Sequence, residues 1–240
     1  MNYLENINPS YFEVLYPLTK WKILSIKDLK EEAEYNGSLS GFYKIISKLE
    51  KNLLIDSFIN TWTNKKYIYL MPSAIKALGK NISTLNINRD IRFHDSIVTS
   101  ITREFNTYPF IEEVFLDFQT REKFPLLERV PDSLLIGKLG RSFNIAIEVE
   151  LTQKSSDRVK EIIRTYSSSK LVNQVLYITD KKSILNAYQK YLNELGEEIS
   201  KEKILIMYMK DMAKGKVEIM NSPVLFKDKV TTLKELFGTA

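Results

Sequence analysis

Residues 130–132 read Val-Pro-Asp, and residues 143–154 read Phe-Asn-Ile-Ala-Ile-Glu-Val-Glu-Leu-Thr-Gln-Lys. The alternation predicts a strand over 142–152 with Phe143, Ile145, Ile147, Val149 and Leu151 on one side. Asn144, Ala146, Glu148, Glu150 and Thr152 then fall on the other side. Same-face neighbours on a strand stand roughly 7 Å apart. On a sheet packed between helices, Glu148 and Glu150 therefore raise each other's pKa unless a cation lies between them. A divalent metal ion is the simplest such partner, and Asp132, on the preceding strand, supplies a third hard oxygen. A plainer reading stays open: both glutamates face solvent from an ordinary amphipathic strand, and Pro131-Asp132 merely begins another.

Working outward, a helix is expected from about Arg89 to Asn106, with Ile91, Ile97, Val98, Ile101 and Phe105 on its apolar side. Glu112–Phe118 reads as a strand, and Leu127–Lys138 contains a second. Ser155-Ser156-Asp157 opens a helix whose buried stripe is Val159, Ile162, Ile163 and Tyr166. The apolar run over 175–179 predicts a buried parallel strand, followed by a helix over 183–195 and another such run, Ile204–Met209. The order is α-β-β-β-α-β-α-β around a mixed central sheet. Residues 215–240 add a β-like stretch and a short helix, Thr231–Phe237, without assignable chemistry.

The first eighty residues have a different rhythm. Residues 9–23 read as an interrupted helix, and Ser25 caps a second running from Ile26 to about Tyr35, which Asn36-Gly37 ends. A third helix, from about Leu39 to Asn52, carries Phe42, Ile45, Ile46, Leu49 and Leu53 on its apolar stripe. Its opposite face offers Ser40, Tyr43, Lys44, Ser47, Lys48 and Lys51. Strands over 54–59 and 66–70 and a short helix over 73–78 follow, with Tyr67 and Tyr69 expected to pack rather than to stack on bases.

Composition bounds the function. The 240 residues, 44% of them apolar, suffice for two folded domains. With no cysteine, a disulfide framework, a thiolate zinc site and a cysteine nucleophile are excluded. His94 is the only histidine, which excludes a two-histidine metal site; its place beside apolar residues reads as structural. Ser155-Ser156 and Ser167-Ser168-Ser169 have no neighbouring base and read as a cap and a helix-to-strand turn. No Gly-rich phosphate loop is present, so no nucleotide cofactor is expected. No run approaches the length of a membrane span and the N-terminus lacks signal-peptide character, so a cytoplasmic protein with no membrane partner is expected. The net charge of +5, with a pI near 9.0, suits a polyanion without identifying one.

Helix, helix, turn, basic amphipathic helix and β-hairpin is an order that resembles the winged helix-turn-helix superfamily over residues 1–80. The resemblance implies that the third helix enters the major groove of double-stranded DNA, with Ser40, Tyr43, Lys44, Ser47, Lys48 and Lys51 facing it and Lys65 and Lys66 on the wing. Lysines at this spacing also suit a merely solvated helix face, and winged helices also dock proteins. Paired half-sites would suit a homodimer.

Residues 81–240, with a core over about 89–210, resemble the PD-(D/E)xK nuclease fold, on Pro131-Asp132 and the acids of the following strand. The resemblance implies that Asp132 and Glu148 bind Mg2+ (or Mn2+), with the Val149 carbonyl as a further ligand and Glu150 as ligand or general base. The family's lysine position holds Glu150 here, which leaves Lys154 as a displaced basic group and opens the way to a fold whose cleavage has decayed into DNA binding. Glu104 falls where many members carry an additional acid. The joined pattern, with Arg92-Phe93-His94-Asp95-Ser96-Ile97, Pro131-Asp132 and Glu148-Val149-Glu150, resembles the replication-relaxation family of plasmid and mobile-element proteins. That implies a DNA-binding protein acting in replication, relaxation or mobilisation that cleaves or nicks with Mg2+, or else a non-catalytic regulator or adaptor.

Overall fold

A computed structural model describes residues 10–81, 85, 87, 88, 90–196 and 198–238. The chain divides into two compact units, Met1–Thr99 and Ser100–Ala240, and passes from one to the other inside a helix. It is an α+β protein: helices with a small three-stranded antiparallel sheet, then a seven-stranded mixed sheet with helices.

The first unit runs α1 (Ser10–Trp21), β1 (Ile23–Ser25), α2 (Ile26–Glu32), α3 (Leu39–Lys51), β2 (Ile55–Asn60), β3 (Lys65–Leu70) and α4 (Pro72–Ala77). The expected interruption of α1 is absent. Pro17 sits inside a single helix because Val14, Leu15, Leu18 and Trp21 are all buried, and that packing outweighs the one backbone bond a proline forfeits. Ser25 caps α2, its Oγ accepting from the Asp28 amide at 3.2 Å, but the helix stops at Glu32, short of Tyr35. Ser38 caps α3, whose buried stripe is Phe42, Ile46 and Leu49 with Ile45 half-buried. Each fully buried side chain of this kind contributes about 1.5–3 kcal/mol. Leu53, expected on that stripe, is exposed: the helix ends at Lys51, and Leu53 takes a left-handed φ of 54°.

β1 was not among the expected strands. Three residues are too few to display alternation, and β1 owes its existence to long-range pairing, Leu24 opposite Ile68. The sheet order is β1-β3-β2. β2 and β3 pair from Ile55 opposite Leu70 to Asn60 opposite Lys65, so Ser57, Ile59, Lys66 and Ile68 share one face and Phe58, Asn60, Lys65 and Tyr67 the other. Tyr67 and Tyr69 are buried packing residues, as expected, and the Tyr69 hydroxyl donates to Asp56 Oδ2 at 2.8 Å.

α5 (Arg92–Phe105) carries Ile97, Val98, Ile101 and Phe105 buried, while Ile91, expected to join them, precedes the helix and is exposed. The elements that follow are β4 (Ile111–Leu116), α6 (Asp117–Lys123), β5 (Ser133–Leu139), β6 (Arg141–Val149), α7 (Ser156–Ser168) and β7 (Gln174–Thr179). Then come α8 (Lys182–Leu195), α9 (Glu198–Lys203), β8 (Ile204–Tyr208), β9 (Pro223–Phe226), β10 (Lys229–Thr232) and α10 (Leu233–Phe237). α6 replaces the end of an expected strand: the Leu116 amide donates to Gln119 Oε1 at 2.9 Å, which starts a helix where the apolar alternation ran on to Phe118. β4, β5 and β6 form an antiparallel meander, β7 and β8 add in parallel to β6, and β9 and β10 return antiparallel.

The apolar runs of β7 and β8 are buried as central parallel strands must be. Val159, Ile163 and Tyr166 of α7 and Ile184 and Tyr188 of α8 cover one face of the sheet around Ala146 and Tyr177. The β5–β6 turn needs Gly140 at φ 71°, and Gly137 leaves room for the Phe143 ring, which a Cβ there would meet at 2.4 Å. Two positions differ from expectation: Asp132 precedes β5 instead of lying on it, and Glu150 lies one residue past β6. No helix among the described residues is long and apolar enough to cross a membrane.

Candidate functional site

In the first unit, burial of Phe42, Ile46 and Leu49 turns the other side of α3 outward. Ser40, Tyr43, Lys44, Ser47, Lys48 and Lys51 are all exposed. Among the described residues Lys44, Lys51 and Lys65 take part in no ion pair, whereas Lys48 Nζ lies 5.1 Å from the Tyr11 ring centre. Lys66 is engaged differently: its Nζ lies 2.6 Å from Glu50 Oε1, an oxygen that also accepts from Ser57 Oγ at 2.5 Å. Ser57 and Lys66 belong to the same face of the β2–β3 hairpin, so that face adjoins the C-terminal end of α3. His94 stands beside a buried acid: its Nδ1 lies 3.5 Å from Asp95 Oδ1, and Lys22 Nζ lies 3.0 Å from Asp95 Oδ2. Burial works to raise the Asp95 pKa, but the His94 bond and the Lys22 charge outweigh it and hold the carboxyl below its usual value.

In the second unit the acids gather at the C-terminal end of β6. Glu148, 2% exposed, lies on the face covered by α7 and α8. The Arg129 guanidinium grips it bidentately, Nε to Oε1 at 2.9 Å and Nη2 to Oε2 at 3.0 Å. The Tyr166 hydroxyl donates to Oε1 at 2.5 Å. Asp132 Oδ2 accepts from the Val149 amide at 2.8 Å, which fastens the loop before β5 to the end of β6. Glu150, 3% exposed, is paired with Lys154, and its amide donates to the Ile178 carbonyl at 2.8 Å. Glu104, the expected additional acid, accepts from the Tyr108 hydroxyl at 3.3 Å.

The electrostatics follow from burial. It pushes the Tyr166 hydroxyl far above its ordinary pKa, with Glu148 adding to the effect, and it does the same to Tyr177. Burial also works against the charge on Arg129, yet the Glu148 carboxylate more than compensates and holds the guanidinium well above its usual value. Glu150 is raised: burial dominates, the Lys154 bond and charge oppose it, and the neighbouring charges of Glu148 and Asp132 reinforce it.

A pH dependence follows for Glu150. Its folded-state value lies above the unfolded one, so its contribution to stability is complete below the ordinary value of 4.5 and is lost as pH rises through the folded-state value. Glu150→Gln should therefore gain stability relative to the parent chain as pH rises from acid to neutral, with little difference at the acid end. Urea midpoints compared across that range test this, and a difference that is constant or shrinks with pH would contradict it.

These residues do not fit a divalent ion as arranged. Both oxygens of Glu148 are taken by Arg129 and Tyr166, Asp132 is bonded to the Val149 amide, and Glu150 has its own lysine. Among the described residues no group of three or more acidic, histidine or cysteine side chains is arranged to hold a metal. Mg2+ needs near-octahedral oxygen ligands, and here two cations of the chain already stand among the three acids. The structure thus brings together Asp132, Glu148, Glu150 and Lys154, with Lys154 reaching back from beyond the strand. Sequence reasoning missed Arg129 and the role of Tyr166. Both left a signal: a buried glutamate requires a cation and a donor, Arg129 is three residues from Asp132, and Tyr166 is the polar-tipped member of a buried stripe.

The sequence matches no protein-family model and no curated protein.

Proposed function

We propose that this chain is a duplex-DNA-binding protein of a plasmid or other mobile element, in which a winged helix makes the contact and a nuclease-like domain serves without cutting. The single observation that carries the reading is the outward face of α3, where Tyr43, Lys44, Ser47, Lys48 and Lys51 stand exposed on a rigid helix. The order of elements in the first unit and its β1-β3-β2 sheet support a winged helix. Short polar and basic side chains at this spacing suit phosphates and base edges. For the second unit, an antiparallel β4-β5-β6 meander joined through α7 to a parallel β7 supports a PD-(D/E)xK-like core. Assignment to a mobile element rests on the three short motifs around His94, Asp132 and Glu148.

One observation favours a second reading, in which the domain is a Mg2+-dependent endonuclease. The charges of Asp132 and Glu148 both act on the Glu150 carboxyl, so the acids share one neighbourhood. Against it stand Arg129 and Lys154, already paired with those acids.

A labelled duplex titrated with the protein, with and without Mg2+ or Mn2+, separates these. The expected result is a shift that weakens steeply with salt and leaves both strands intact. Metal-dependent nicking that disappears in Asp132→Asn would establish the second reading. Absence of any salt-sensitive shift would leave a protein-docking adaptor.

A further inference from the structure

The face of the large sheet turned away from α7 and α8 encloses unfilled space. Ile145 is registered with Gln174 and Leu176 with Leu205, and these four side chains share that face. With Phe105 above them and Leu236 of α10 at the side, they wall a cavity of about 170 Å³. Gln174 is the one polar residue in its lining among the described residues. An apolar cavity of about 150 Å³ stays dry and takes up benzene, so this space suits a ring or a short alkyl chain. A second cavity of about 430 Å³ continues outward from it, since Ile145, Gln174 and Phe237 line both. Phe143 stacks on Phe237 with ring centres 5.9 Å apart, which ties β6 to α10 along this passage. Farther out the lining changes character: Leu139 is 45% exposed, and Ser142 and Arg141 stand exposed at the mouth.

What fills the space follows from its polar groups. Among the described residues the Arg141 guanidinium takes part in no ion pair, and the Gln174 side-chain amide makes no hydrogen bond. Arg141 lies four residues before Ile145 on the same face of β6, about 13 Å along a strand that rises about 3.3 Å per residue. An apolar interior, one neutral hydrogen-bonding group at the neck and an unpaired guanidinium at the mouth complement an alkyl chain that ends in an anion. The planar fork of arginine matches a carboxylate in particular. A second copy of the chain is the poorer occupant, because a protein of net charge +5 brings little to satisfy an arginine. We propose that the second unit binds a free medium-chain carboxylate, with its tail in the inner cavity and its head group on Arg141. This stands whether or not the first unit binds DNA.

Octanoate titrated into the full-length protein in a calorimeter tests this. Saturable binding is expected, and acetate, which lacks the tail, should give none. Octan-1-ol keeps the tail without the charge and should bind about fivefold to tenfold more weakly, the span between an exposed ion pair and a charge-assisted hydrogen bond. Octanoate should weaken by the same factor in Arg141→Gln, a substitution at an exposed position. In the parent protein with labelled methyl groups, octanoate should shift the resonances of Ile145, Leu176 and Leu205 and leave those of Ile23 and Ile46, in the core of the first unit, in place. No saturable binding, shifts that spare the three cavity methyls, an alcohol that binds as tightly as the carboxylate, or an unchanged affinity in Arg141→Gln overturns the proposal. Self-association that shields the same methyls and shuts octanoate out puts a second copy in the site, and overturns it as well.

Discussion

Arg129→Met should lower the unfolding free energy of the second unit by about 3–5 kcal/mol, the range found when one partner of a buried ion pair is removed. Methionine keeps much of the aliphatic bulk of arginine and deletes the charge. What it leaves is Glu148, whose side chain is 3% exposed, gripped before by two guanidinium bonds and now by the Tyr166 hydroxyl alone. Arg129 is itself 28% exposed, so part of its charge is hydrated in the parent chain. The cost of the substitution therefore falls on the glutamate. Against a typical total stability of about 5–15 kcal/mol, that loss takes the unit close to its limit. Adding Glu148→Gln removes the stranded charge, so the double variant should recover most of the loss. That non-additivity separates a charge effect from a cavity. Far-UV circular dichroism in urea reads the whole chain, while emission from Trp21 and Trp62 reads the first unit alone, since both tryptophans lie there. A loss below about 1 kcal/mol in Arg129→Met would class the pair with exposed surface bridges. The arginine would then be only loosely held, and the case against a divalent ion at these acids would weaken with it.

The same pair of residues shows where the sequence was legible. Alternation in β6 placed Glu148 and Glu150 on one face, and both are buried on it; periodicity in α7 gave Val159, Ile162, Ile163 and Tyr166, and all four are buried. Patterns of this kind depend on residues a few positions apart. Partners dictated by long-range closure leave no periodic pattern, only the requirement that a buried glutamate find a cation and a donor somewhere in the chain. Arg129 is 19 positions from Glu148, and Tyr166 is 18 positions from it on the other side. β1 is likewise defined by a strand more than forty residues away in sequence. The α6 start hinged on a single side-chain acceptor, Gln119, and the end of α3 on the left-handed backbone at Leu53, neither of which alters the apolar rhythm. On the first unit the exposed face of α3 was readable in full, because an amphipathic helix announces its solvent side along with its buried one. That Lys66 is occupied by Glu50 was not readable, since the pairing joins a strand to a helix.

Simultaneous Lys44→Ala, Lys48→Ala and Lys51→Ala should abolish most duplex binding at moderate salt while leaving the fold intact. All three side chains are exposed, and surface substitutions of this type usually change stability by no more than about 0.5 kcal/mol. Lys48 also lies over the Tyr11 ring, so its removal has the largest structural effect of the three, worth about 0.5–1 kcal/mol at an exposed site. The binding loss has a specific signature. Each lysine that neutralises a phosphate releases condensed counterions, so losing one makes the slope of log affinity against log salt shallower by about 1, and losing three by about 3. The effect should be uniform across DNA sequences, since phosphate contacts carry no sequence information. Lys66→Ala is the internal comparison: its ammonium already faces Glu50 at 2.6 Å, so its contribution to the slope should be smaller than that of any α3 lysine. Anisotropy of a labelled duplex over a series of salt concentrations measures all of these. A triple variant that retains the parent slope would show that the lysines of α3 face water alone, and the exposed face would then have to be explained by a partner other than DNA.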